Sequence, residues 1–564
     1  MKRYKVHIIC AIAACALLII IRSTSTLDYA QKLSAWKAAV IAAAQQRYEQ
    51  TKSFIGSQLI SPVLIQVIKS QEKAIIDNPY KDMVATVRVG NELHADEREY
   101  RMYRESRVKA ALEKLLDRSL DGKKIPVISC VASGGGYRAM LCTTGSMVGA
   151  EQIGLLDTFT YICALSGSTW ALGPWIATGW TWADFRIYLE GLVIQTIFNI
   201  NSSDARRIAD VFATKLAFNQ PITSVDLFGA LLANRLLDGF GDDRQLLYLS
   251  HQAQRIKDGT FPYPIYTATD GSEKVAEQPH WYEFTPHEVG CAAFALYIPV
   301  WAYGREFYGG GSLDFAPEQT LGFILGTCGS AYALTVGFLW DSLADNISNV
   351  MLKQLIQEYV IAPMKGKRVF WAEVNNYMKG IASIANAYER LSERPILKIV
   401  DAGLTCNLPY PPVSGERTER KPDLLLFLDA SAATIPGELK KVEEYARKHN
   451  IKFPVIDYTD LNKKTFAVFK DETDAEVPVV IYMPRITDAA LWQTYQSHAE
   501  FAAYSNLTGF DMEKCTNEKG QVCNTLNFEY TQEQAQQVMN QTQFNMVVNK
   551  DNLKEVLNWV IDRN

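Results

Sequence analysis

Two short segments close together in the chain do most to limit how it can fold. The first is Ser133-Gly134-Gly135-Gly136-Tyr137-Arg138-Ala139-Met140; the second is Ala164-Leu165-Ser166-Gly167-Ser168-Thr169-Trp170. Each follows an apolar, β-branched run and precedes a helix-like stretch, so each reads as a strand–turn–helix corner. Strands are expected at 125–132 and 158–165, with helices at 137–150 and from 167 onward. Such alternation argues an α/β fold in which helices flank a central sheet.

The rest of the chain fits around those corners. Residues 28–75, rich in Ala, Gln, Lys and Ile, predict one or two helices ahead of the main domain, and 28–95 read as a helical extension. Apolar Val108, Ala111, Leu112, Leu115 and Leu116 give 96–120 the spacing of an amphipathic helix. Further strands are expected at 261–268, 397–400, 424–428 and 479–483, and the last helices at 532–563. Gly309-Gly310-Gly311 reads as a hinge into a helical segment over 321–359. At the N-terminus, basic Met1-Lys2-Arg3-Tyr4-Lys5 precedes an uncharged apolar stretch over 8–21. That pattern matches a signal peptide or membrane anchor over 1–25 and predicts an exported or membrane-associated chain.

Composition narrows the function classes. With 564 residues, 48% of them hydrophobic, the chain can bury a large core. A net charge of −5, without Lys/Arg runs, gives no support to nucleic-acid binding. No His/Cys grouping has metal-ligand spacing. Cys130, Cys142, Cys163, Cys291, Cys328 and Cys406 lie in apolar or packed contexts that favour buried thiols. Cys515 and Cys523 bracket a polar stretch and form either a small disulfide loop or two unrelated thiols.

The glycine corner also satisfies G-x-G-x-x-A, the dinucleotide-binding pattern. That reading needs an acid at the end of the next strand, whereas Glu151 and Asp157 precede it. The corner is then either an ordinary tight turn or a place where the amides of Gly135 and Gly136, at a helix N-terminus, suit an oxyanion. Ser166 stands where a nucleophile elbow places its serine, with small Ala164 and Ser168 two residues to either side. The pattern is degenerate, A-x-S-x-S, and an ordinary N-cap serine would look the same. A serine nucleophile needs a base. Among seven histidines only His287 lies in a marked pattern, Phe284-Thr285-Pro286-His287-Glu288, and it suits packing better. Asp401, leaving an apolar strand into Ala402-Gly403-Leu404, is the better candidate, because partial desolvation raises a carboxylate's basicity.

Taken jointly, 133–140, 164–170 and 401–411 resemble the signature blocks of the cytosolic (group IV) phospholipase A2 catalytic domain, a relative of patatin and fungal phospholipase B. Residues 281–290, 326–331 and 527–530 are similar to further family stretches, so the resemblance runs from about residue 95 to the C-terminus. It implies a patatin-like fold with a mixed sheet, a catalytic domain over 96–564 and a small helical cap inserted at about 311–400. It implies Ser166 as nucleophile and Asp401 as its base, Gly135 and Gly136 as the oxyanion hole, and Arg138 as the holder of the substrate phosphate. The implied activity is release of the sn-2 fatty acid from glycerophospholipids at a membrane surface. Lysophospholipase, phospholipase B or transacylase activity on the same fold is the alternative. A non-catalytic, membrane-associated lipid-binding protein is the alternative from another class. Where the family usually has Gly and Ser, this chain has Ala164 and Ala402. No calcium-binding C2 sandwich is read ahead of the catalytic domain, so no cofactor is expected and calcium is not expected to serve the chemistry. The sequence leaves the oligomeric state open.

Overall fold

Five central strands run parallel, and their parallel pairing explains why they are apolar on both faces. In the computed structural model, residues 77–271, 280–333, 371–381, 391–432, 436–487, 489–509 and 515–563 are described, with 69, 73, 353 and 356–362 besides. All of them belong to one compact unit, 66–564. The strands are β1 (Arg88–Val89), β2 (Ile128–Ala132), β3 (Tyr161–Leu165), β4 (Tyr263–Asp270), β5 (Trp281–Phe284), β6 (Glu288–Cys291) and β7 (Leu296–Pro299). They continue with β8 (Phe307–Tyr308), β9 (Gly311–Ser312), β10 (Ala372–Asn375), β11 (Ile396–Val400), β12 (Leu424–Asp429), β13 (Ala467–Phe469) and β14 (Val479–Pro484).

Among the described residues the main sheet has the order β1-β7-β6-β5-β4-β3-β2-β12-β14-β13. Pairings β14–β12, β12–β2, β2–β3 and β3–β4 are parallel, and β5, β6, β7, β1 and β13 join antiparallel. All residues of β2, β3, β12 and β14 are buried, as expected where helices cover both faces of parallel strands. The sheet is therefore helix-flanked, as the two corners suggested, and mixed, as the family resemblance implied.

Topology brings the site together. β2 and β3 lie side by side with Ala132 opposite Ala164, so both corners leave the same sheet edge at the carboxyl ends of neighbouring strands. β4 lies beside β3, with Leu165 opposite Thr267. β11 then returns antiparallel to β4, with Val400 opposite Thr269, and delivers Asp401 to that edge from far along the chain.

The main helices start and stop where local chemistry says. Helix α1 (Ala95–Leu116) buries Tyr100, Arg104, Val108, Leu112 and Leu115 at three- and four-residue spacing and ends on left-handed Asp117. Helices α2 (Gly136–Ile153) and α3 (Gly167–Thr178) begin directly at the two corners. Helices α4 (Ser224–Leu236) and α5 (Leu321–Cys328) approach closely: a Cβ on Gly322 would lie 2.7 Å from the Gly229 carbonyl oxygen. The C-terminal helices are α6 (Gln532–Val548) and α7 (Lys550–Arg563).

Several expectations need correcting. The described end of the 28–95 extension is not helical: 78–94 is mostly turn and extended chain, and Arg88 pairs with Tyr297 of β7. Residues 28–68 lie outside the described residues, as does the 1–25 segment expected to be a signal or anchor. Gly309-Gly310-Gly311 is no hinge. Gly309 (φ 59°) and Gly310 (φ 91°) form the two-residue turn of a hairpin pairing Tyr308 with Gly311. Positive φ at both turn positions is what such a turn needs and what glycine supplies. The span assigned to a cap, 311–400, lies partly outside the described residues. Within it, α5 is fully buried and β10 and β11 belong to the main sheet.

A buried charge network was not foreseen. Arg420 binds Glu97 of α1 and Glu283 of β5, both at 2.6 Å. Arg417 binds Glu283 and, at 2.9 Å, Glu288 of β6. These five side chains are at most 2% exposed, and partly exposed Arg88 binds Glu288 at 2.9 Å, so three arginines face three glutamates.

Candidate active site

The two corners meet backbone to backbone. A Cβ on Gly167 would lie 2.0 Å from the Gly136 carbonyl oxygen, and one on Gly134 would lie 2.8 Å from Cβ of Ser166. Glycine at these places is therefore a packing requirement. Side chains lock the contact: the Ser168 hydroxyl donates to the Ser133 carbonyl at 2.5 Å and shares a 2.7 Å bond with the Thr143 hydroxyl.

Ser166 itself has φ 49° and ψ −122°, a strained conformation for a residue with a side chain. It is 2% exposed, and its hydroxyl donates to Asp401 Oδ2 at 3.0 Å. The other carboxylate oxygen, Oδ1, accepts the Gly403 N–H at 2.9 Å, and the carboxylate also accepts from the Ala331 N–H. The Asp401 N–H donates to Ser330 Oγ at 2.9 Å. Burial pushes the Asp401 carboxyl up to about 7, with the hydrogen bonds from Gly403, Ser166 and Ala331 working against it. A carboxylate at that value is a usable base near neutral pH.

Among the described residues, His287 and His449 are engaged elsewhere. His287 hydrogen-bonds the Tyr263 hydroxyl at 2.8 Å and stacks on His94, and burial pulls its pKa down to about 4. His449 pairs with Glu416 at 2.8 Å. His7 lies outside the described residues.

Gly135 caps α2 and Gly136 begins it, so their amides sit at the positive end of the helix, where first-turn N–H groups have no partner within the helix. Arg138, 1% exposed, covers them: its Nη2 would lie 2.5 Å from a Cβ on Gly135. Its Nε donates to the Ala430 carbonyl at 2.9 Å, and Nη1 to the Cys523 carbonyl (2.7 Å), Thr525 Oγ1 (2.9 Å) and Asn517 Oδ1 (3.3 Å). These acceptors are all neutral, and among the described residues no carboxylate pairs with Arg138. Cys515 and Cys523 are joined in a disulfide that closes the loop holding Arg138. The other six described cysteines are free, and all but partly buried Cys406 are fully buried.

The structure thus gathers Ser166, Asp401, Gly135, Gly136 and Arg138 at one sheet edge. It adds residues that sequence reasoning missed. Asn407 ties the Asp401 loop to the glycine corner, donating to the Gly134 carbonyl at 2.9 Å and to Ser431 Oγ at 2.7 Å. Tyr137, Trp170, Phe228, Tyr332 and Phe528 pack as an aromatic wall, with ring centroids of Tyr332 5.3 Å from Trp170 and 5.7 Å from Phe528. Ala402 is buried against Leu165 and Trp281. A separate cavity of about 280 Å³ includes Thr405 and Cys406 of the Asp401 loop among its lining but neither Ser166 nor Arg138.

Residues 128–549 match the family model of a lysophospholipase catalytic domain. Human cytosolic phospholipase A2 epsilon is 24% identical over 547 residues, an alignment covering 85% of this chain and 61% of the relative. Human cytosolic phospholipase A2 zeta is 25% identical over 551 residues, covering 85% and 62%. The chain spans about three fifths of the length of these relatives. The solved structure of human GIVD cytosolic phospholipase A2 matches with a TM-score of 0.72 at 20% identity, covering 85% of this chain and 68% of that one. Its likeness establishes the fold. The relatives are named as cytosolic phospholipases, and among the described residues no helix is long and apolar enough to cross a membrane. These findings overturn the expectation of an exported or membrane-anchored chain, which rested on an apolar stretch outside the described residues.

Proposed function

The chain belongs to the lysophospholipase catalytic domain family, and from that premise we propose that it is a phospholipase A2-type serine acyl hydrolase acting on glycerophospholipids through Ser166 and Asp401. The observation that carries this reading is the 3.0 Å hydrogen bond from Ser166 to an aspartate whose pKa is raised to about 7.

The chemistry runs in two halves. Asp401 Oδ2 takes the Ser166 proton as Oγ attacks the sn-2 ester carbonyl. The developing oxyanion lies against the Gly135 and Gly136 amides at the start of α2, where the helix end favours negative charge. Protonated Asp401 then gives its proton to the leaving lysophospholipid alkoxide. Water, deprotonated by Asp401, attacks the acyl-enzyme, and Ser166 recovers its proton as the fatty acid leaves. Arg138, held by neutral acceptors, keeps its charge available to the substrate phosphate beside the reacting ester.

A second reading, lysophospholipase activity on the same dyad, is favoured by the description of the matching family domain. Fatty-acid release from phosphatidylcholine labelled in the sn-2 chain and from lysophosphatidylcholine separates the two. Faster release from the first is the expected result. Release from the second alone moves the assignment to a lysophospholipase. Release from neither of them, nor from any other lipid ester, returns the chain to a lipid-binding role.

A further inference from the structure

The Cys515–Cys523 disulfide takes no part in the mechanism above, yet each of its half-cystines holds a buried arginine. The Cys523 carbonyl accepts from Arg138 Nη1 at 2.7 Å, and the Cys515 carbonyl accepts from Arg485 Nη1 at 3.3 Å. The two arginines are also anchored on adjacent carbonyls just past β12. Arg138 Nε donates to Ala430 at 2.9 Å, and Arg485 Nε to Ser431 at 3.3 Å. Burial first, and then the nearby charge of Arg138, pulls the Arg485 pKa down to about 10. Asn517, between the two cysteines, adds a third tie. Its Oδ1 accepts from Arg138 Nη1 at 3.3 Å and from the Thr525 N–H at 2.9 Å.

Little else keeps the loop shut. None of the residues 516–522 is buried, so no apolar core closes it. Its own hydrogen bonds, such as that from Asn524 Nδ2 to the Asn517 carbonyl at 2.7 Å, are exposed, and water replaces them at small cost. Opening returns chain entropy and lets two like charges move apart. The covalent bond therefore keeps Asn517 and the Cys515 carbonyl on the arginines. We propose that the Cys515–Cys523 disulfide is a redox-sensitive latch whose reduction frees this loop and releases Arg138 from the position that receives the substrate phosphate. The proposal rests on the hydrolase reading above, with Arg138 on the phosphate. A dithiol supplies the two electrons. Its thiolate attacks Sγ of Cys515, the more exposed half-cystine at 6% against 1%; the S–S bond breaks, and Cys523 leaves as a thiolate that takes up a proton. The second thiol of the reductant then displaces Cys515, so the reductant departs as a cyclic disulfide and the protein gains two thiols. The six other described cysteines are already free and do not change.

The test compares the oxidised full chain, the same protein after dithiothreitol, and Cys515→Ser combined with Cys523→Ser, which cannot form the bond. Thiol alkylation and intact mass confirm the state of the disulfide. Two properties are read: labelling of individual arginines by phenylglyoxal, mapped by peptide mass spectrometry, and fatty-acid release from phosphatidylcholine and from a diacylglycerol of the same acyl chains. Opening the disulfide is expected to speed labelling of Arg138 by about 10- to 100-fold, the factor for one hydrogen bond to a charged group. Arg104 and Arg420, buried far along the chain from the loop, should stay protected. The kcat/KM on phosphatidylcholine should fall by about tenfold, while that on the diacylglycerol, which has no phosphate, stays within about twofold. A disulfide that resists dithiothreitol in the folded protein, or Arg138 labelling that does not change when it opens, would overturn the proposal. Labelling of Arg104 and Arg420 alongside Arg138, or equal loss on both esters, would overturn it in favour of a purely structural cross-link. If the oxidised wild type hydrolyses neither ester, the functional reading fails, while arginine labelling still decides whether the latch exists.

Discussion

Asp401 shows what a single buried carboxyl does to both activity and stability. Its pKa stands at about 7 against an ordinary value of 3.8, because burial disfavours the ionised form. The ionised form is the base, so kcat/KM is expected to fall tenfold per pH unit below about 7, which a pH–rate profile checks. The same shift has a stability cost. The folded state binds the proton more tightly than the unfolded chain, so the penalty is absent below about pH 4 and complete above about pH 7. Asp401→Asn should therefore raise the unfolding free energy at pH 8 by up to about 4 kcal/mol, with the gain vanishing towards pH 4 in urea titrations at both values. The sequence singled out Ser166, Gly135, Gly136 and Asp401 from short blocks with their own local chemistry, and Arg138 through the family resemblance alone. Asn407 and Tyr332 were not legible there, since their contacts are made across the fold and neither residue type announces a role.

At the scale of elements, the site is a joint between two strand–helix corners. Gly167 is its tightest point, where a methyl group would overlap the Gly136 carbonyl oxygen. Gly167→Ala should lower turnover by at least about 10²-fold, by moving the oxyanion donors at the start of α2 away from Ser166. Circular dichroism should show helix content unchanged, so that lost activity reports the joint. The corners could be read from apolar runs followed by turn residues, a strictly local signal. The glycine triplet at 309–311 was misread because Gly runs serve hinges and hairpin turns alike. Only the pairing of Phe307 with Ser312 decides between them.

For the whole molecule, the decisive feature is a long-range connection. β11 runs antiparallel to β4 and places Asp401 beside Ser166, though the two are 235 residues apart in sequence. No local pattern encodes that return, and the sequence reached Asp401 through family resemblance and the character of its loop. The Arg417–Arg420 network was equally hidden, because its acids come from α1, β5 and β6. Arg420→Met leaves Glu97 and Glu283 short of a partner in a dry interior and should destabilise the fold by about 3–5 kcal/mol, measured by urea unfolding. The N-terminal apolar stretch gave a location that the relatives do not support, a reminder that a targeting-like pattern carries no information on the domain that follows it.

The claim at the centre of this account is that a serine and an aspartate, without a histidine, perform the hydrolysis. It is tested most directly by fatty-acid release from phosphatidylcholine by wild type, Ser166→Ala and Asp401→Ala, each shown to be folded. The account predicts that wild type is active and that either substitution lowers turnover by at least about 10³-fold. Substantial activity in Asp401→Ala, or in Ser166→Ala, would contradict it.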